Sequence, residues 1–141
     1  MREILFRGKS NYGNVGEWEY GLVAQPHITK DGIVTSYYFT KLCENGHSSQ
    51  RTVSANTIGQ FTGLTDKNGK KIFEGDIVAG AVWWQEQAKN GIVVFKDGSF
   101  GLLWYRGEVE QFNAFTSMCN ITYEVIGNIH DNPELLKGGE G

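Results

Sequence analysis

Asp66, Glu74 and Asp76 place three carboxylates in one short stretch, and carboxylate oxygens are the ligands that magnesium and calcium take. Gathered around a divalent cation they would make a metal-dependent enzyme acting on nucleic acid or a nucleotide. An EF-hand is excluded: counting from Asp66, Ile77 stands where the bidentate Glu belongs, and the glycine falls at position four instead of six. Turn chemistry accounts for the same residues more simply. Gly63, Gly69 and Gly75 recur every six residues where a strand must turn, and Asp66 and Asp76 are residues that bond to backbone amides two positions on. The preferred expectation is therefore a structural junction without a metal.

Thiol and imidazole chemistry has fewer resources. Cys43 and His47 share one loop, but two cysteines and three histidines do not make a structural zinc site at the usual spacings. Cys119 and His130 offer a nucleophile and a base with nothing local to lower the thiol pKa, so both cysteines are expected as small packed residues. A phosphate-binding Gly loop followed by Lys, a dinucleotide-binding glycine set and a Gly-x-Ser-x-Gly elbow are all absent. No catalytic residue and no cofactor are assigned.

Aromatic side chains are the stronger binding signal. Trp83 and Trp84 are adjacent, as are Trp104 and Tyr105 with Arg106 after them, so on a strand one ring of each pair faces the core and the other faces out. Exposed Trp, Tyr and Arg are the anchors favoured at protein interfaces. The structural alternative packs these rings beneath residues 85–89. Glu86, Glu108 and Glu110 lie nearby with only Lys89 and Arg106 to offset them, which argues against stacking on bases. Contact with a protein, including a second copy in a homo-oligomer, thus outranks nucleic acid. Charge supplies the counter-argument: residues 1–71 carry 9 basic and 6 acidic side chains, whereas residues 72–141 carry 4 and 10. Arg2, Arg7, Lys9, Lys67, Lys70 and Lys71 could converge on a phosphate backbone, which makes a nucleic-acid-binding protein the alternative.

The elements that must position these residues read as mostly β. Glycine is abundant, 19 of 141 residues, proline is only 2, and short branched and aromatic runs are separated by Gly, Asn and Asp. Residues 18–23 alternate so that Trp18, Tyr20 and Leu22 share one face, expected to be half-buried. Lys30-Asp31-Gly32, Glu44-Asn45-Gly46 and Asp97-Gly98 are hairpin turns, the last being the clearest. Ser54 to Gly59 suggests one helical turn capped by Ser54, at a junction between subdomains. A last strand over 123–129 precedes a short helix in which Asn132 is the cap and Pro133 the first helical residue. The resulting architecture is mainly β, with N-terminal antiparallel hairpins over 1–59, a small SH3-like barrel over 60–137 sharing a core with them, one or two short helical turns, and a flexible tail over 138–141.

Three blocks carry a family resemblance. Met1-Arg2-Glu3-Ile4-Leu5-Phe6-Arg7, the stretch from Ile58-Gly59-Gln60-Phe61-Thr62-Gly63-Leu64 through Lys71-Ile72-Phe73-Glu74-Gly75-Asp76-Ile77-Val78, and Glu124-Val125-Ile126-Gly127-Asn128-Ile129 through Pro133-Glu134-Leu135-Leu136 resemble the YopX family of phage and prophage proteins. The resemblance implies a phage or prophage gene acting in a bacterial cytoplasm. It implies little about activity, since that family has no established biochemical function and no agreed functional residues. The charged N-terminal residues leave no apolar signal region, and no run approaches the roughly 20 apolar residues that span a bilayer, so neither export nor a membrane is expected. The overall expectation is a phage or prophage accessory protein that is non-catalytic and binds a protein partner or itself.

Overall fold

Branched and aromatic runs interrupted by glycine produce an almost wholly β chain in the computed structural model, which describes residues 2–42, 45–80, 90–115 and 123–140. The chain divides into two compact units, Met1–Phe61 and Thr62–Gly141. The division falls inside a strand, β5 (Gly59–Thr65), two residues after the boundary expected from sequence.

In the first unit, β1 (Phe6–Lys9), β2 (Trp18–Ile28), β3 (Val34–Leu42) and β4 (Ser48–Ser54) form consecutive antiparallel pairs, and β5 joins β1 on its other side. The ribbon curls until its ends meet: Ser10 bridges Val53, and the Asn11 N–H donates to the Thr52 carbonyl at 3.1 Å. Phe39, Val53 and Phe61 are buried in this unit. On the face of β2 expected to be half-buried, Trp18 is half-buried but its two companions are not. Tyr20 and Leu22 are 44% and 50% exposed, while Gly21 between them is buried. A Cβ at Gly21 would lie 2.6 Å from the Thr40 carbonyl oxygen, so the missing side chain is what lets β3 approach so closely. A register shift between Val23 and Gln25 then bends the strand. The expected helical turn is a 3-10 turn, Ala55–Thr57, but Ser54 makes no side-chain cap. Instead the Thr57 hydroxyl donates to the Ser54 carbonyl at 2.7 Å and accepts the Lys9 N–H at 2.8 Å, which ties the turn to β1.

In the second unit, β6 (Lys71–Phe73) lies next to the end of β5, and a five-stranded antiparallel sheet runs in the order β10-β9-β8-β7-β11. Its strands are β7 (Asp76–Ala79), β8 (Gly91–Lys96), β9 (Ser99–Arg106), β10 (Val109–Ala114) and β11 (Glu124–Asn128). Four strands meander and the fifth returns to pair with the first, consistent with a small barrel-like fold. Ile72, Val78, Val93, Leu102 and Trp104 make its core, with Leu64, Phe115, Tyr123 and Val125 packed around them.

The β8–β9 turn is the expected two-residue loop. Asp97 at φ 52° and Gly98 at φ 82° both occupy the left-handed region that a type I′ turn demands. Replacing Gly98 with Ala is expected to cost about 1–2 kcal/mol, seen as a lower urea midpoint at unchanged slope. The chain's last element is a 3-10 helix, Pro133–Glu140, so residues 138–140, expected to be a loose tail, belong to it. It is anchored where the Asn90 side-chain amide donates to the Leu135 carbonyl at 2.8 Å. Asn132 does not cap it by side chain; its Oδ1 accepts the N–H of Asn128 at 3.3 Å.

Candidate functional site

The carboxylates of the matched central block are structural in their contacts. Asp66 is 2% exposed, and both its oxygens are engaged: Oδ1 accepts the N–H of Asn68 and of Lys70, each at 2.9 Å, and Oδ2 accepts that of Val125 at 2.9 Å. One side chain thereby closes its own turn and fastens that turn to β11. Burial pushes the Asp66 carboxyl pKa up, but the three amide bonds and the charge of Lys70 outweigh it and hold the group below its ordinary value. Asp76 is buried, and its Oδ2 accepts the Phe73 N–H at 2.8 Å, three residues back. Glu74 is half-buried between them in sequence. Among the described residues, no three His, Cys, Asp or Glu side chains are grouped to hold a metal ion.

The thiol candidates Cys43 and Cys119 lie outside the described residues, as do Trp83 and Trp84. His47 sits in an exposed turn, its N–H donating to the Asn45 side-chain oxygen at 3.1 Å. The basic set is divided between the units, Arg2, Arg7 and Lys9 in the first and Lys67, Lys70 and Lys71 in the second. Arg7 is 6% exposed, its guanidinium 4.6 Å from the centre of the Trp18 ring, with the Lys9 ammonium 5.3 Å from the same ring. Opposite pairing explains this: Arg7 faces Tyr20 and Lys9 faces Trp18 across the β1–β2 ribbon, so both cations are drawn onto aromatic surface. Lys67 pairs with Glu124 at 3.5 Å. Residues 1–61 carry six basic and five acidic side chains, so the positive bias of the first half does not belong to the first unit.

Trp104 and Tyr105 separate as strand alternation requires. Trp104 is 4% exposed within the core, its indole N–H donating to the Asn113 side-chain oxygen at 3.4 Å. It is thus a packing residue and not a surface anchor. Tyr105 is 50% exposed, and its hydroxyl donates to Glu110 at 3.4 Å. From Tyr105 to Glu110 every residue is exposed, so the end of the β9–β10 hairpin stands in solvent on both faces. Arg106 pairs across the ribbon with Val109, which is 62% exposed, through a two-residue loop of Gly107 and Glu108. Glu110 also bonds Lys96 at 3.3 Å, and the Lys96 ammonium lies 5.9 Å from the Phe112 ring centre. Val109 and the strand that carries it were missed in sequence. Gly107, at φ 66°, was the available turn signal.

The class is thus a two-unit, mainly β protein in which buried Asp66 and Asp76 bond to backbone amides, and Tyr105 is among the exposed aromatic side chains, at the end of a hairpin. The family model described as YopX protein matches residues 5–137, and the chain belongs to the YopX family. Among solved structures, protein EF1440 from Enterococcus faecalis is similar at 25% identity and a TM-score of 0.55, over 96% of this chain and 99% of that one. Protein yopX from Bacillus subtilis shares the fold at 20% identity and a TM-score of 0.53, over 96% of this chain and 97% of that one. No match is found among curated proteins. Among the described residues no helix is long and apolar enough to cross a membrane.

Proposed function

We propose that this chain is a phage or prophage accessory protein of the bacterial cytoplasm, a non-catalytic module that binds a protein through the tip of the β9–β10 hairpin. The exposure of the whole run from Tyr105 to Glu110 carries the reading. A two-stranded tip extending past its core has no packing reason to hold Tyr105, Arg106 and Val109 in water, whereas a partner surface would bury all three. Tyr105 is held by its bond to Glu110, so little side-chain freedom remains to be lost on binding. Glu108 and Glu110 favour a partner face with basic side chains and disfavour nucleic acid. The five-stranded sheet is read as an SH3-like barrel, with this hairpin as its working end.

Replacing Tyr105 with a photo-reactive phenylalanine tests the reading in cells of the bacterial host. Irradiation is expected to give one discrete protein adduct, absent when the same group stands at exposed Glu134. Adducts to nucleic acid, or equal adducts at both positions, would overturn it.

A further inference from the structure

The most exposed large apolar side chains among the described residues are Tyr12 at 84% and Val15 at 71%, and both stand on the loop joining β1 to β2. That loop is internally built. The Ser10 N–H donates to the Glu17 carbonyl at 2.8 Å, the Gly16 N–H to the Ser10 carbonyl at 2.9 Å, the Val15 N–H to the Gly13 carbonyl at 2.9 Å and the Glu17 N–H to the Asn14 carbonyl at 3.2 Å. The Ser10 hydroxyl holds the Tyr12 carbonyl at 2.8 Å, and Ser10 itself is 3% exposed and bridged to β4. Such a loop presents Tyr12 on a backbone that is already ordered, so docking it costs little further main-chain entropy.

The other end of the same ribbon carries a hole. Arg2, Glu3, Ile4, Phe6, Leu22 and Val23 line an open, mainly apolar groove of about 590 Å3, and Ile4 and Leu22 are 52% and 50% exposed in it. Exposed Glu17 closes the loop, and of the two exposed charges at the groove, Arg2 and Glu3, Arg2 is the one opposite in sign to it.

Register forbids a chain from filling its own groove. Phe6 pairs with Gly21 at the groove end and Lys9 with Trp18 at the loop end, so about 10 Å of paired strand separates them. We infer that the loop of one copy docks into the groove of a second copy, Tyr12 and Val15 against Ile4, Phe6 and Leu22, with Glu17 beside Arg2 of the neighbour. Because knob and hole are different surfaces, the contact is heterologous and repeats from copy to copy along the ribbon unless the rotation closes a ring. This surface is separate from the β9–β10 tip, and the inference does not rest on that tip binding anything.

Light scattering over a concentration series tests it on the full chain. The parent is expected to grow in mass beyond a dimer, whereas Tyr12→Glu and Leu22→Glu, each alone, stay at the 15.7 kDa of one chain. An equal mixture of the two variants is expected to double that mass and stop, because one chain keeps its groove and the other its loop. Ile4→Glu, at another exposed groove position, should repeat the Leu22→Glu result, and circular dichroism shows that each variant is folded. Tyr105→Ala should assemble like the parent, which separates this contact from the hairpin tip. A parent that is monomeric throughout, variants that assemble like it, or a mixture that remains monomeric would overturn the inference.

Discussion

Asp66→Ala is expected to lower the unfolding free energy by about 3–5 kcal/mol, enough to unfold much of the population of a marginally stable domain. Three backbone N–H groups lose their acceptor at once, and the one from Val125 lies on another strand. Water can reach the turn donors at exposed Asn68 and Lys70 more readily than the half-buried donor at Val125, so that single bond carries a large share. Asp66→Asn keeps one acceptor oxygen, enough for the Asn68 and Lys70 donors, and should cost less than Asp66→Ala although the Val125 N–H loses its acceptor. Acid makes the same point without mutation. The folded-state pKa lies below the ordinary value of 3.8, so the contribution of Asp66 is complete above that value and is lost as pH falls through it toward the lowered one. Urea midpoints measured from neutral pH downward should therefore drop more steeply for the parent than for Asp66→Asn. Parallel curves would show that the carboxylate charge is irrelevant.

Trp104→Ala is expected to cost about 3–5 kcal/mol, whereas Tyr105→Ala, one residue on, should stay within about 0.5 kcal/mol of the parent. The contrast follows from alternation: Trp104 packs with Val93 and Leu102, while Tyr105 touches mostly solvent and Glu110. Thermal unfolding reads the first effect. Partner capture reads the second, since removing the Tyr105 ring should abolish binding through the hairpin tip without unfolding the protein. A Tyr105→Ala variant that binds as well as the parent would move the contact elsewhere.

The pair also shows how far sequence carries. Adjacent aromatics on a strand must face opposite ways, but which one faces in depends on the partner strand, and β10 was not recognised. Its turn, Gly107-Glu108, lacks the Asn-Gly or Asp-Gly signature that made Asp97-Gly98 legible, and its apolar residues are few. The face of β2 was misread for a related reason. Apolar bulk at Trp18, Tyr20 and Leu22 pointed to a half-buried face, yet close approach of the Thr40 carbonyl needed the bare backbone of Gly21 inside. Arg7 was read as a free charge because burial beside Trp18 depends on β1–β2 register, which no local pattern records. The turns at Gly32, Gly46 and Gly98 were legible because their requirement is local, a positive φ that glycine meets at no cost. Asp66 was recognised as a turn former, but its bond to Val125 spans 59 positions and had no local trace.

The pairing of β7 with β11 sets a timetable for synthesis. β7 leaves the ribosome about 45 residues ahead of its partner, Glu124 to Asn128. At about 5–20 residues per second, one edge of β7 waits unpaired for several seconds, with the third donor to Asp66 also missing. The sheet of the second unit thus cannot close until residue 128 has been made, whereas the strands of the first unit are already present. Ribosome stalling before residue 124 would leave an open apolar edge in the cell, so translation through residues 124–128 governs whether the nascent chain stays soluble.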